Sequence, residues 1–416
     1  LKTEITKHRF DYLATCPRGL ENVLEAELLS LGVSSTRKSK SGIHFEGFNE
    51  TFIDIAIHSR ISSRIYKKLF TFHIEDEKDL YQKTKDIKWK ALIDSDQTFR
   101  FQTHLLSSGR FRSQFSNTVY LSQLMKDALV DRMREDRLER PSVELKMPDV
   151  PLMVQIGPTS QSRKEKVEIY LDLTMEPICN RGYRVPGHPA PLRENLAAGF
   201  CAMMEIKEKT PTLLMDGLCG TGTILLEAYM MMANIPPSFM KLKAWRAGQK
   251  EQFHFQTYQL FEKDPYLLEK FNRSMDQAVE QMERGLKQKP NFEMLGMDID
   301  SKSVEIAKMQ FQQLTNSAPL SLSCQDFLDF TIPKKDGRKV FFGNLPYGER
   351  LGEEEELKDL YTHLGEKIRD DMKDFDVYLL TPRKTLTRNL GLASIERTHL
   401  KNGALDCEFL YIERNL

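Results

Sequence analysis

The chain has 416 residues, enough for two or three domains with cores of their own. Its hydrophobic content of 40% and charged content of 29% are those of a folded, water-soluble protein, and no apolar run approaches the length of a membrane-spanning helix. The formal net charge is +0, which excludes a globally basic nucleic-acid binder and requires any nucleic-acid footprint to be local.

From His8 to Cys16 the residues alternate as a strand would. A helix follows, with Leu20, Val23, Leu24, Leu28 and Leu31 at helical spacing and Gly32 closing it. Ile43 to Phe45 reads as the next strand. From about Glu50 to Leu173 the pattern is α+β. It holds a helix through Phe52, Ile55 and Ala56, a strand over Arg64–Ile74, a helix near Asp79–Lys88 and a strand over Thr98–His104. A longer helix over Thr118–Arg134 and strands at Leu152–Ile156 and Val167–Leu173 complete it. Basic residues interleave with aromatics at Arg100, Phe101, Arg110, Phe111, Arg112 and Phe115. Such a stretch can grip an RNA backbone, but its spacing fits a solvated loop beside core phenylalanines better.

The segment 176–199, with prolines at 177, 186, 189 and 191, reads as a hinge between domains. From Pro211 onward strand and helix signals alternate, with strands at Leu213–Met215, Phe292–Met297, Leu320–Cys324, Val340–Gly343, Asp376–Leu380 and Cys407–Ile412. That alternation predicts a mostly parallel sheet covered on both faces. Ligands of such sheets bind outside the carboxyl ends of the strands, where Asp216, Asp298 and Asn344 all fall.

Two motifs carry chemistry. Leu213-Leu214-Met215-Asp216-Gly217-Leu218-Cys219-Gly220-Thr221-Gly222-Thr223 reads as strand, glycine-rich loop and helix start. Gly220 and Gly222 let backbone approach a ligand, and the helix N-terminus offers free N–H groups. It has neither the P-loop Lys nor the third glycine of the dinucleotide fingerprint. An Asp at the strand end suits a cofactor with an ammonium group, such as S-adenosylmethionine. The second motif is Phe341-Phe342-Gly343-Asn344-Leu345-Pro346-Tyr347-Gly348-Glu349-Arg350. The Asn344 side-chain carbonyl and the Leu345 peptide carbonyl can accept both hydrogens of one NH₂ group. Tyr347 supplies a stacking face. The loop is suited to alkylating the exocyclic amine of a nucleobase.

The acid that ends the second strand is ambiguous on length alone. Glu262 or Asp264 lies nearer the glycine-rich loop. Asp298 is preceded by Gly296 and followed by a well-patterned helix through Val304, Ile306, Ala307, Phe311 and Leu314. Choosing Asp298 makes 234–291 a helical, charged insertion and makes Gln325-Asp326-Phe327 the candidate for an adenine ring.

The order D-G-L-C-G-T-G-T, G-M-D-I-D, Q-D-F and G-N-L-P-Y-G-E-R-L-G resembles the THUMP-domain (guanine-N2)-methyltransferases of 23S ribosomal RNA, a family often labelled N6-adenine-specific DNA methylases. The likeness covers nearly the whole chain. It implies a ferredoxin-like segment at 1–49, an RNA-binding THUMP domain at 50–175, a link at 176–199 and a Rossmann-like class I methyltransferase domain at 200–416. By the same resemblance the cofactor is S-adenosyl-L-methionine and the partner is large-subunit ribosomal RNA or its precursor. Asp216, Cys219, Gly220, Thr221, Gly222 and Thr223 would take the methionine part, Asp298 and Ile299 the ribose side, and Asp326 and Phe327 the adenine. Asn344, Leu345, Pro346 and Tyr347 would hold the target base. Arg181, Arg184, Arg193, Arg350 and Lys401 would meet phosphates. Two departures stand out. N-L-P-Y replaces the usual N-P-P-Y and occurs in adenine dimethyltransferases, which keeps adenine-N6 methylation of DNA or RNA open beside guanine N2. Gly217-Leu218 replaces Pro-Met.

No cysteine stands in the amine loop, as a covalent route to a base carbon would need. Six cysteines, Cys16, Cys179, Cys201, Cys219, Cys324 and Cys407, are scattered with no C-x-x-C pair. That pattern argues against a zinc site or disulfide framework and for a reducing cytosol. Leu1-Lys2-Thr3-Glu4 has no signal-peptide apolar core and no initiator Met, as a trimmed end would leave. The expected setting is cytoplasmic, with no membrane and no metal. A protein of this fold that only binds RNA as an assembly factor is the non-enzymatic alternative.

Overall fold

The computed structural model describes residues 9–106, 117–136, 139–159, 164–185, 192–258, 261, 263–346, 353–382, 386–392 and 395–412. Two sheets organise them. The first holds β1 (Phe10–Thr15), β2 (Thr36–Ser39), β3 (Gly42–Gly47), β4 (Arg64–Ile74), β5 (Thr98–Leu105), β6 (Ser142–Val143), β7 (Val150–Pro158) and β8 (Glu165–Asp172), in the order β2-β3-β1-β4-β8-β7-β5-β6. Helices α1 (Glu21–Ser30), α2 (Thr51–His58), α3 (Glu77–Lys85) and α4 (Thr118–Glu135) accompany it. The 11-residue strand β4 pairs antiparallel with β1 on one side and β8 on the other, so the first two α+β units share one continuous sheet.

The second sheet is α/β. It begins with α5 (Glu194–Met203), β9 (Leu213–Asp216) and α6 (Thr223–Met232). The insertion follows, with α7 (Phe239–Arg246) and α8 (Pro265–Lys287). Then come β10 (Glu293–Asp298), α9 (Ser301–Leu314), β11 (Leu320–Cys324), β12 (Lys339–Asn344), α10 (Glu353–Asp371), β13 (Phe375–Pro382), β14 (Ile395–Asn402) and β15 (Leu405–Ile412). The order is β11-β10-β9-β12-β13-β15-β14, with β9 to β13 parallel and β15 antiparallel between β13 and β14. The central strands are sealed on both faces: Leu213, Leu214, Met215, Val340, Phe341 and Phe342 are all fully buried. That is why they read as continuous apolar runs rather than alternating ones.

Strand β10 pairs directly with β9, which makes Asp298 the end of the second strand. Asp264 instead caps α8, accepting the N–H groups of Tyr266 and Leu267; Glu262 lies outside the described residues. The insertion forms helix α8, whose stripe Leu267, Phe271, Met275, Ala278 and Met282 is buried. Its polar side meets the first domain, where Lys270 Nζ pairs with Asp54 at 2.7 Å and Ser274 Oγ donates to Asp54 at 2.8 Å. Phe255 stacks edge-on against Phe52 at 5.0 Å, and Tyr258 Oη donates to the Asp172 carbonyl at 2.6 Å. The insertion therefore fastens the two halves together.

The described part of the link is no loose hinge. Arg181 Nε meets Glu227 Oε1 at 3.3 Å with both side chains essentially fully buried, and Arg181 Nη2 donates to the Arg60 carbonyl at 2.6 Å. Tyr183 Oη donates to the same Glu227 oxygen at 3.1 Å. This buried cluster ties the link to the first domain and to α6. No described helix is long and apolar enough to cross a membrane.

Candidate active site

Strand β9 ends at Asp216, between β10 and β12. Its register partners are Gly296 on one side and Phe342 on the other. Each neighbour runs two residues further, to Asp298 and to Asn344. The three polar side chains thus occupy adjacent carboxyl ends of three neighbouring parallel strands.

Asp216 is 1% exposed, and its Oδ1 accepts the Leu218 N–H at 3.1 Å. Among the described residues no cation pairs with it. Burial, with the like charge of Asp298 added, pushes its carboxyl well above the usual carboxylate range. Asp298 is half-buried and braces the loop: its Oδ2 accepts the Gly220 N–H at 2.8 Å and its Oδ1 the Asp300 N–H at 2.9 Å. Gly220 and Gly222 adopt φ of +51° and +75°, the left-handed region that disfavours side chains. A Cβ on Gly220 would meet nothing within 4 Å, so this backbone faces open space.

The remaining loop residues divide into structural and available groups. The Thr221 carbonyl accepts Gln310 Nε2 at 2.6 Å, and Thr223 opens α6. Cys219 is buried, its N–H donates to the Met297 carbonyl at 2.8 Å, and burial pushes its thiol far up, so it is a packing group. Ile299 is 73% exposed beside Asp298. Asp326 is exposed and caps a short turn by accepting the Leu328 N–H at 2.8 Å. Phe327 is a correction. Its ring is 2% exposed and stacks on Phe341 at 4.8 Å, so it offers no face to a ligand. It also accounts for Gly217, where a Cβ would stand 2.6 Å from that ring.

On the other side of Asp216, Asn344 is half-buried at the end of β12, and no described residue hydrogen-bonds its amide. Leu345 is fully buried, and its N–H donates to the Leu380 carbonyl at 2.8 Å. Pro346 is exposed. Its carbonyl accepts Tyr361 Oη at 3.3 Å, and the same hydroxyl meets Thr381 Oγ1 at 2.9 Å. Tyr361 is fully buried, and burial pushes its phenol up to about 12. Sequence reading missed it. Its apolar helical position reads as core, and only the fold brings its hydroxyl to the loop. Tyr347 and Arg350 lie outside the described residues.

The basic candidates separate. Arg181 is buried on Glu227 and meets no solvent, so it is not a phosphate contact. Arg184 spends its guanidinium within the link, with Nε on Glu194 Oε1 at 2.7 Å and Nη2 on the Leu192 carbonyl. Arg193 is exposed, and Lys401 is half-buried with Asp406 at 3.3 Å. Among the described residues no cluster of three His, Cys, Asp or Glu side chains is arranged to hold a metal ion.

Residues 181–410 match the family model described as RMKL-like, methyltransferase domain. The chain belongs to the RMKL-like methyltransferase family. Residues 11–66 match the RlmL ferredoxin-like domain and residues 75–172 the THUMP domain. The chain is 30% identical over 407 residues to a protein of Syntrophotalea carbinolica named ribosomal RNA large subunit methyltransferase K/L, covering 96% of this chain and 53% of that one. A protein of the same name from Desulfotalea psychrophila is 31% identical, with 96% of this chain and 52% of the relative covered. The RMKL-like chain therefore spans about half the length of these curated relatives. Among solved structures, a "possible methylase" from Clostridium difficile 630 superposes with TM-score 0.81 at 24% identity, over 98% of this chain and 99% of the other. SMU.472, a structure complexed with SAH, superposes with TM-score 0.78 at 23% identity, over 99% of each chain. The strand order of this RMKL-like domain, with its antiparallel β15 between β13 and β14, is the class I methyltransferase arrangement.

Proposed function

We propose that this chain transfers a methyl group from S-adenosyl-L-methionine to an exocyclic amine of a base in large-subunit ribosomal RNA, and that the amine is guanine N2. The observation that carries the reading is the pairing of a buried carboxylate that meets no cation among the described residues, Asp216, with an acceptor side chain, Asn344, on the neighbouring strand end. A cationic cofactor fits the first. Asp216 and the open backbone of Gly220, with Gly222 packed on Ala307 beside it, would hold its ammonium end, Asp298 its ribose hydroxyls, and Asp326 with the exposed Ile299 its adenine. Each Asp298 oxygen that takes a loop N–H keeps a second lone pair for a hydroxyl. When bound, the cofactor supplies an already activated methyl group, so the protein's task is positioning. Asn344 and the Leu345 carbonyl would accept the two amine hydrogens and stabilise the charge that builds on nitrogen.

The THUMP match and the relatives' names support ribosomal RNA as the partner. Leu345 bears on the base. Its side chain faces the core, and its N–H joins the β12–β13 ladder, a bond proline cannot make. The departure from N-P-P-Y therefore serves strand pairing and leaves the Asn344 acceptor in place, so it gives no ground for exchanging guanine for adenine.

The test is a digest of RNA methylated with labelled cofactor. The expected product is N2-methylguanosine. N6-methyladenosine would move the reading to adenine. Label on a base carbon or a ribose oxygen would defeat the amine clamp, and bound cofactor with no product would favour a non-catalytic assembly factor. The loop tether gives a second expectation. Tyr361→Phe removes the hydroxyl that holds the Pro346 carbonyl while keeping the ring. kcat should fall roughly 2- to 10-fold, the value of one neutral hydrogen bond. Cofactor Kd by calorimetry should stay unchanged; a matching loss of cofactor affinity would mean that Tyr361 supports the whole cleft instead.

A further inference from the structure

We infer that a basic cleft beside the catalytic edge, assembled from five separate segments, clamps the RNA phosphate backbone a few nucleotides from the target base. This rests on the RNA reading above and adds Arg18 and Lys40 of the first domain to the machinery. The cleft has a volume of about 370 Å³ and is lined by Arg18, Lys40, Ser63, Arg193, Lys401 and Asn402, among others. Among the described residues that line it there is no carboxylate. Four cations, Arg18, Lys40, Arg193 and Lys401, thus gather at one place in a chain of net charge +0, with Asp406 3.3 Å from Lys401. Glu21, close by, does not line the cleft; its carboxylate accepts the N–H groups of Gly19 at 2.8 Å and Ser41 at 2.9 Å.

The position of the cleft connects it to the chemistry. Cys407 pairs with Pro382 across β15 and β13, and Leu380 pairs with Asn344 across β13 and β12. The carboxyl end of β14, which carries Lys401 and Asn402, therefore rises at the same sheet edge as the amine loop. Strand β14 is three strands from β12, ~14 Å at the usual spacing. A nucleic-acid strand covers that in about four nucleotides at 3.4 Å each.

The cleft is also preformed. The Lys401 N–H donates to the Arg18 carbonyl at 2.9 Å and the Cys16 N–H to the Ser41 carbonyl at 3.0 Å. Asn195 Nδ2, on α5, donates to Ser63 Oγ at 2.9 Å. Gly19, with φ of +98°, presses so closely on β14 that a Cβ would stand 2.2 Å from the His399 carbonyl oxygen. The backbone that carries the four cations is interlocked and needs no ordering when a polyanion arrives, which favours tight binding.

The experiment uses the full chain carrying Arg18→Gln and Lys40→Gln together, neither residue being part of the amine loop or the cofactor cleft. Binding of a fluorescent ribosomal RNA fragment is measured by anisotropy across a salt series. The plot of log Kobs against log salt should become shallower by about 1.4 to 1.8, the loss of two ionic contacts. Cofactor Kd and the melting midpoint should not move, and the charge-keeping Arg18→Lys with Lys40→Arg should restore the slope. An unchanged slope, or an affinity loss equal at every salt concentration, would overturn the clamp. A failure of the unaltered chain to bind RNA or transfer methyl would instead overturn the function reading on which the clamp rests.

Discussion

Asn344→Ala should lower methyl transfer by about 10²- to 10³-fold while cofactor affinity changes little. Asn344 stands half-buried at the end of β12, and no described residue hydrogen-bonds its amide. Its oxygen is therefore available to the substrate amine and structurally uncommitted. An amine conjugated to a purine ring is a weak nucleophile, and positive charge grows on it only as the new bond forms. An acceptor aimed at its hydrogens gains most at that moment, so its loss raises the barrier more than it weakens ground-state binding. The fold should survive, because β12 is held by its ladder to β13 and by Phe341 and Phe342 in the core. Single-turnover rates at saturating cofactor, with calorimetry beside them, separate the two effects. A variant that keeps its rate would show that Asn344 does not face the reacting nitrogen.

Asp216→Asn should remove cofactor binding and at the same time stabilise the ligand-free protein. Asn keeps the shape and can still accept the Leu218 N–H, which Asp216 accepts at 3.1 Å. What it loses is a charge that burial and Asp298 both disfavour. Truncating one member of a buried charged contact costs about 2 to 5 kcal/mol, so cofactor affinity should fall by at least roughly 30-fold. The sign for the free protein runs the other way. The carboxyl is raised in the fold above its ordinary 3.8, so the native state holds its proton more tightly than the unfolded chain does. Stability contributed by that proton is present at and below the ordinary value and is lost as pH rises through the raised one. At neutral pH the Asn variant should therefore melt above the parent. In the parent, cofactor affinity should climb with pH across the same window, since only the ionised group attracts a cation. Affinity that stays flat with pH, or an Asn variant that binds as the parent does, would rule out a carboxylate–cation contact.

The parts of the site legible in the sequence are those set by local pattern. Asp216, Asp298 and Asn344 each end an apolar run, and an apolar run in an alternating β/α chain is a buried parallel strand whose last residue emerges at the ligand edge. The choice of Asp298 over Asp264 was likewise readable, from the helix that follows it. Strands β2 and β14 were not. Both are polar sequences at sheet edges, where pairing comes from the neighbour: Arg397 and His399 of β14 both lean on Glu408 of β15, at 3.3 and 3.6 Å. Arg181 and Phe327 show the same limit at single side chains. An arginine in a proline-rich link looks like a surface cation until Glu227, 46 residues away, arrives to neutralise it in the interior. A phenylalanine after an acidic turn looks like a ligand platform until Phe341 takes its face. Strand and helix identity follows from which residues prefer to leave water, and that is written locally. Whether a charge, a hydroxyl or a ring is spent on the fold or left for a ligand depends on partners distant in the chain, and only their packing decided it.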